Sequence, residues 1–205
     1  MLWGRAMKAR FEKETEHIYR LKIPFDTVYT SVFLVEREGE AVLVDCATTP
    51  FDVEHYIVPA LEERGHTLSS LKAIVITHDH EDHAGGLAHI KTLAPALPVI
   101  RQETAIWDGI FTCPLHGHTV DFIGLYDNRT KTLISGDGLQ GAGVDQYRCS
   151  LQDPTAYKET VRRLQGDNSI ENILFSHAYE PWYAYNALGR EKVELCLKDC
   201  LIYVK

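Results

Sequence analysis

Four short apolar runs constrain this chain more than any other feature, because each ends on a residue able to ligate a metal. Ala41-Val42-Leu43-Val44 leads into Asp45, and Ala73-Ile74-Val75-Ile76-Thr77 into His78. Thr132-Leu133-Ile134-Ser135-Gly136 leads into Asp137, and Asn172-Ile173-Leu174-Phe175-Ser176 into His177. Runs of this length, rich in β-branched side chains, read as buried strands. Helix-like stretches lie between them: 51–64, interrupted by Pro59; 84–93; 154–164; and 189–203, which would turn Val193, Leu197 and Leu201 inward. Asp153 before Pro154 suits a helix start, since an aspartate accepts from free amides and a proline has no amide to leave unpaired. Tyr126-Asp127-Asn128-Arg129-Thr130 has turn chemistry, so 121–136 reads as a hairpin. Strands alternating with helices predict a layered α/β fold, taken as one domain over 1–205, with ligands gathering where strands end.

The chemistry concentrates in His78-Asp79-His80-Glu81-Asp82-His83, directly after the second run and before Ala84-Gly85-Gly86. Four candidate ligands this close, His78, His80, Asp82 and His83, cannot all point one way on a strand or helix, but a loop can splay them toward two neighbouring ions. Imidazole and carboxylate suit zinc, and also iron or manganese, while the absence of cysteine makes the set less zinc-selective. Gly85 and Gly86 would let the chain turn and start a helix without side-chain collision. Three later residues add to the set: His118 in Gly117-His118-Thr119, Asp137 and His177. His116 could exchange roles with His118, although the Gly-His-Thr context favours the latter. His17, His55 and His66 have no ligand-like context, His89 falls on the helix after the motif and outside the site, and Asp79 and Glu81 read as solvent-facing or hydrogen-bonded to the loop.

Composition narrows the partners. The formal charge of −8, with no basic run to offset it, argues against nucleic acid and leaves a small-molecule substrate. Acidic substrates stay open, since bound divalent metals would dominate the local field. Five cysteines without a CxxC pair predict reduced thiols, with Cys196 and Cys200 sharing a buried helix face. Residues 1–20 lack the apolar core of a signal peptide and no run approaches a membrane span, so the expectation is a cytoplasmic protein that does not engage a membrane.

From about Val42 to His177 the sequence resembles the metallo-β-lactamase-fold superfamily, through its His-x-His-x-Asp-His element and the later His, Asp and His. The resemblance implies an α/β fold of αβ/βα four-layer sandwich type, with two mixed sheets flanked by helices. It implies that His78, His80 and His118 hold one divalent metal and that Asp82, His83 and His177 hold a second. Asp137 would bridge them, and zinc is expected ahead of iron or manganese. Asp45 would orient a ligand histidine through the ring nitrogen not bound to metal. Two ions roughly 3.5–4 Å apart can share a water whose pKa a metal lowers to about 7, giving a bridging hydroxide nucleophile. Asp82 would hydrogen-bond that hydroxide and pass a proton to the leaving group.

The expected reaction is therefore hydrolysis of a small ester, thioester or lactone. The alternatives are a mononuclear iron oxidoreductase of persulfide-dioxygenase type, which shares the scaffold, and a non-catalytic metal-binding protein. A carboxylate at Asp137 departs from the true β-lactamases, and a histidine at His80 departs from the diiron oxygen- or nitric-oxide-reducing relatives. His177-Ala178-Tyr179 is similar to the His-x-Tyr of glyoxalase II, which implies that Tyr179 contacts substrate. The basic C-terminal helical extension of that family finds no counterpart before Lys205. Gly138-Leu139-Gln140 likewise lacks the tyrosine that lactone hydrolases place after the bridging aspartate. The 35 positions from His83 to His118 are few for these relatives, which implies a trimmed and more open pocket, with Tyr147 and Trp182 as further lining candidates.

Overall fold

The structure is a computed structural model that describes residues 9–140, 151–179, 184–202 and 204. It comprises two compact units: Met1–Phe25, Thr30–Val75 and His80–Val99 form the first, and Asp26–Tyr29, Ile76–Asp79 and Ile100–Lys205 the second. Two six-stranded sheets carry the fold.

The first sheet has the order β1 (Glu12–Lys13), β2 (Ile18–Phe25), β3 (Val28–Arg37), β4 (Glu40–Val44), β5 (Ala73–Val75) and β6 (Val99–Ile100). It is mixed: β3 and β4 pair antiparallel, while β4 and β5 pair parallel with Val42 opposite Ala73 and Val44 opposite Val75. The parallel register makes Asp45 and the Ile76–His78 segment leave from the same ends of neighbouring strands, and the Asp45 amide donates to the Val75 carbonyl at 2.8 Å. Ala41 to Val44 are all fully buried, which is why β4 reads as a continuous apolar run rather than an alternation.

The apolar-run pattern does not pick out β2, and Arg20 explains why. This arginine is 1% exposed, donating to Glu14 Oε1 at 2.6 Å and Ser31 Oγ at 3.0 Å, with its guanidinium 4.7 Å from the Phe33 ring centre. A charge facing inward breaks the alternation that would otherwise mark Ile18–Phe25 as a strand.

The expected helix over 51–64 is three segments in line: α1 (Pro50–Asp52), a π-helical turn (Val53–Ile57) and α2 (Val58–Glu63). Thr49 starts it with a reciprocal cap, its hydroxyl accepting from the Asp52 amide while the Asp52 carboxylate accepts from the Thr49 amide. Pro59 has no amide to continue the ladder and crowds the carbonyl four residues back, so the chain widens before it. The expected 84–93 helix starts earlier and is split into α3 (Glu81–Ala84) and α4 (Leu87–Leu93).

The second sheet has the order β12 (Ala184–Leu188), β11 (Asn172–Tyr179), β10 (Thr132–Gly136), β9 (Ile123–Asp127), β8 (Ile110–Pro114) and β7 (Ala105–Trp107). The hairpin is β9 with β10, Thr132 opposite Asp127. Its turn is closed by the Asp127 carboxylate, which accepts from the Arg129 amide and the Thr130 hydroxyl. β10 and β11 run parallel, Thr132 opposite Asn172 and Ile134 opposite Leu174, so Asp137 and His177 emerge at the same end of the sheet. Helices α5 (Pro154–Gly166) and α6 (Arg190–Ile202) complete the unit. Tyr157, Val161, Leu164, Val193 and Leu197 pack with Leu133, Ile173 and Phe175 into one buried cluster, which Leu201 joins as a partly buried neighbour. The Asp153 carboxylate caps α5, accepting from the Thr155 and Ala156 amides at 3.0 and 2.9 Å. Cys196 and Cys200 are both buried on α6, and neither is in a disulfide. Among the described residues, no helix is long and apolar enough to cross a membrane.

Candidate metal centre

In the first unit, the His80 backbone is extended and α3 begins at the next residue, so Asp82 and His83 sit in a single helical turn. Both side chains are buried, and Asp82 Oδ2 lies 3.2 Å from His83 Nε2. His83 Nδ1 meets Asp45 Oδ2 at 2.8 Å, with neither side chain exposed. An ionised carboxylate can only accept, so Asp45 places the proton on Nδ1 and leaves the Nε2 lone pair for a metal. Asp45 occupies the left-handed region at φ 63°, which aspartate tolerates better than most residues. The turn is tied to the strand end: the His83 carbonyl accepts from the Cys46 amide at 2.8 Å and the Cys46 thiol at 3.2 Å, and the Thr30 hydroxyl donates to the Asp82 carbonyl.

Gly85 and Gly86 have ordinary helical φ values of −62° and −74°, so backbone freedom is not what this turn needs from them. It needs space. A Cβ on Gly85 would lie 2.1 Å from the Thr48 carbonyl oxygen, and one on Gly86 2.3 Å from that of Cys46.

In the second unit, the His78 ring stands edge-on to that of His118, their centres 4.9 Å apart, and packs on Phe122. Its Nδ1 lies 3.1 Å from the Thr77 hydroxyl. The loop that carries His118 is anchored to the start of α5. The Gln152 amide donates to the His118 carbonyl, the Asp153 amide to the Gly117 carbonyl, and the Thr160 hydroxyl to the His116 carbonyl. Gly117, at φ 136°, is pressed so close to α5 that a Cβ there would lie 2.4 Å from Tyr157 Cβ. Asp137 offers one carboxylate oxygen to each of two histidines, Oδ2 at 3.8 Å from His118 Nε2 and Oδ1 at 3.5 Å from His177 Nε2. His177 Nδ1 lies 2.9 Å from the Tyr29 carbonyl oxygen, and His118 Nδ1 lies 3.0 Å from the Gln140 amide nitrogen.

Each unit thus presents imidazole and carboxylate donors of its own: His80, Asp82 and His83 in the first, and His78, His118, Asp137 and His177 in the second. The donors suit a divalent cation, because His78, His83 and His177 each present Nδ1 to an oxygen, so that Nε2 is the nitrogen available to bind. Sequence reasoning missed three of the groups that hold these rings: the Thr77 hydroxyl, the Tyr29 carbonyl and the Gln140 amide. Thr77 precedes its histidine and was findable as a neighbour, whereas a backbone carbonyl and a neutral amide leave no motif.

His116 is exposed while His118 is buried, its ring edge-on to that of His78. His89 bonds Glu54 and His66 bonds Glu36, each at some remove along the chain from the cluster. Asp79 is an exposed partner of Arg101. Tyr147 and Trp182 lie outside the described residues, as does the side chain of Tyr179.

Residues 25–109 match the family described as the metallo-beta-lactamase superfamily. A hydroxyacylglutathione hydrolase of Methylobacillus flagellatus is 29% identical over 177 residues, covering 73% of this chain and 67% of that protein. Another, from Aeromonas hydrophila, is 27% identical, covering 73% and 66%. The match thus spans about two thirds of the length of these relatives. Among solved structures, the DIM-1 metallo-beta-lactamase aligns with a TM-score of 0.71 at 17% identity, over 95% of this chain and 97% of that one. A metallo-beta-lactamase from Erythrobacter litoralis aligns at 0.70 and 21%, over 97% and 98%. At such identities the likeness is one of fold, two six-stranded mixed sheets with helices.

Proposed function

We propose that this chain is a metal-dependent hydrolase of the metallo-beta-lactamase superfamily, and that it uses two metal ions to hydrolyse a small thioester, ester or lactone. The observation that carries this reading is the clustering of imidazoles and carboxylates within each unit, Asp45, Asp82 and His83 in the first and His78, His118, Asp137 and His177 in the second. His78, His80 and His118 would hold one ion and Asp82, His83 and His177 the other. Asp137, with an oxygen toward each of two histidines, would serve both. Zinc suits the nitrogen and oxygen donors, and iron or manganese would also bind them. When bound, such ions polarise a carbonyl oxygen and acidify a coordinated water.

The protein's own residues position and move protons. Asp45, Thr77 and the Tyr29 carbonyl fix the rings of His83, His78 and His177 through Nδ1. In the reaction, the water oxygen bonds to the acyl carbon, the bond from that carbon to sulfur or oxygen breaks, and the leaving atom takes up a proton. Asp82 is the candidate carrier, accepting the proton that the water loses and returning it to the leaving atom. Thioesters of the hydroxyacylglutathione type head the substrate list, because two relatives matched over 73% of this chain are hydroxyacylglutathione hydrolases. Tyr179 would contact such a substrate from the end of β11, and Tyr147 and Trp182 remain candidates to line a pocket more open than in the relatives.

The test is a panel comprising a hydroxyacylglutathione thioester, an aryl ester, an acyl lactone and a β-lactam, each assayed with zinc-, manganese- and iron-reconstituted protein. We expect turnover of at least one of the first three, loss of it on chelation and its return with metal. The β-lactam should be the poorest substrate. Metal-replete protein inactive on all of the first three would overturn the reading.

A further inference from the structure

We propose that Gln140 is a positioning residue for the metal centre, its side-chain oxygen holding the proton on His118 Nδ1 so that Nε2 can bind the ion. This rests on His118 being a ligand, as in the function proposed above.

His118 differs from the other three rings in what it faces at Nδ1. His78, His83 and His177 each face an oxygen at Nδ1: a hydroxyl, a carboxylate and a backbone carbonyl. His118 instead faces the Gln140 amide nitrogen at 3.0 Å, inside a pocket where Gln140 is 8% and His118 1% exposed. An amide nitrogen only donates, so this arrangement makes Nδ1 the acceptor and puts the ring proton on Nε2. A proton on Nε2 occupies the lone pair that a metal would need.

Turning the amide through half a revolution exchanges its oxygen and nitrogen and leaves every other atom in place. The Gln140 oxygen is buried with no hydrogen-bond partner among the described residues, so the turn breaks no described bond to it. The oxygen then accepts from Nδ1–H, and His118 joins the pattern of the other three rings. The same helix turn supports both partners. The Gln140 backbone amide donates to the Tyr157 hydroxyl at 3.1 Å, and the Tyr157 backbone sits against Gly117, one residue before His118. Gln140 and the ring it faces are therefore held at one separation by α5.

Two variants separate acceptor from donor. Glutamate at this position, Gln140→Glu, can only accept when ionised, and Gln140→Met fills similar space with no hydrogen bond. With zinc as the probe in chelator competition, Gln140→Met should bind about 10–100-fold more weakly than wild type, and Gln140→Glu within about threefold of it or tighter. A Gln140→Glu protein as weak as Gln140→Met would show that the amide donates, and an unaffected Gln140→Met would show that it does not matter; either result overturns the proposal. A second measurement needs no variant to fold. In metal-free wild type, nitrogen-15 correlation spectra of the neutral His118 ring should show the Nδ1–H tautomer, and an Nε2–H tautomer overturns the inference. Wild type that binds no metal but shows the Nδ1–H tautomer would refute the metal-centre reading while sustaining the role of Gln140 toward His118.

Discussion

Asp45→Asn is expected to weaken metal binding by about 10–100-fold while leaving the metal-free chain folded. The Asp45 carboxylate lies 2.8 Å from His83 Nδ1, and both side chains are wholly buried. Being an acceptor only, it dictates where the imidazole proton sits, and its charge makes Nε2 a stronger donor to a cation. Asparagine keeps the size and the tolerance for φ 63° that this strand end requires, so the backbone has no reason to move. What it loses is the charge and the certainty of which atom faces the ring. Alanine would add left-handed strain to the same loss and confuse the two effects. Chelator competition reads the affinity, and thermal unfolding of metal-free protein reads the fold. Unchanged affinity would contradict the role of Asp45, and so would an Asn variant that no longer unfolds cooperatively without metal.

Gly85→Ala should cost stability on the order of 3 kcal/mol. The added Cβ would stand 2.1 Å from the Thr48 carbonyl oxygen and 2.5 Å from that of Glu81. Both are backbone atoms, so no rotamer change relieves the contact. The segment after β4 and the turn through α3 would have to part. That turn carries Asp82 and His83, and the segment begins at Asp45, so metal affinity should fall together with stability. Gly166→Ala is the matched control: nothing lies within 4 Å of its Cβ position at the end of α5. It should be neutral or stabilising by up to about 1 kcal/mol, because alanine restricts the unfolded chain. Equal thermal shifts in the two variants would show that the close approach at Gly85 is not tight in solution.

These two residues also mark what was legible in the sequence. The apolar runs leading to Asp45, His78, Asp137 and His177 announce strands, because continuous burial writes continuous apolar runs, although β11 continues past His177 to Tyr179. The cap at Asp153 and the turn at Asp127 are legible for local reasons: each side chain bonds backbone or side-chain groups within three residues. Gly85 and Gly86 are readable as part of a turn, but the reason for them is not. Their φ values are unexceptional, and the atoms that exclude a Cβ include carbonyls of residues about forty positions earlier. The strand β2 is hidden by the inward-facing Arg20, whose partners Glu14 and Ser31 come from outside it. Gln140 is hidden more completely. A neutral amide in Gly138-Leu139-Gln140 carries no ligand signature, and its imidazole partner lies 22 positions away. Local sequence records which side chains have metal chemistry, while the groups that orient them are recorded only in the fold.

The central claim is that this chain binds two metal ions through His78, His80, Asp82, His83, His118, Asp137 and His177. Elemental analysis tests it most directly, on protein purified without added metal and again after reconstitution and removal of loosely bound ions. Two equivalents of zinc, manganese or iron per chain are predicted, falling when Asp137 is replaced by alanine. Fewer than one equivalent after reconstitution would contradict the claim.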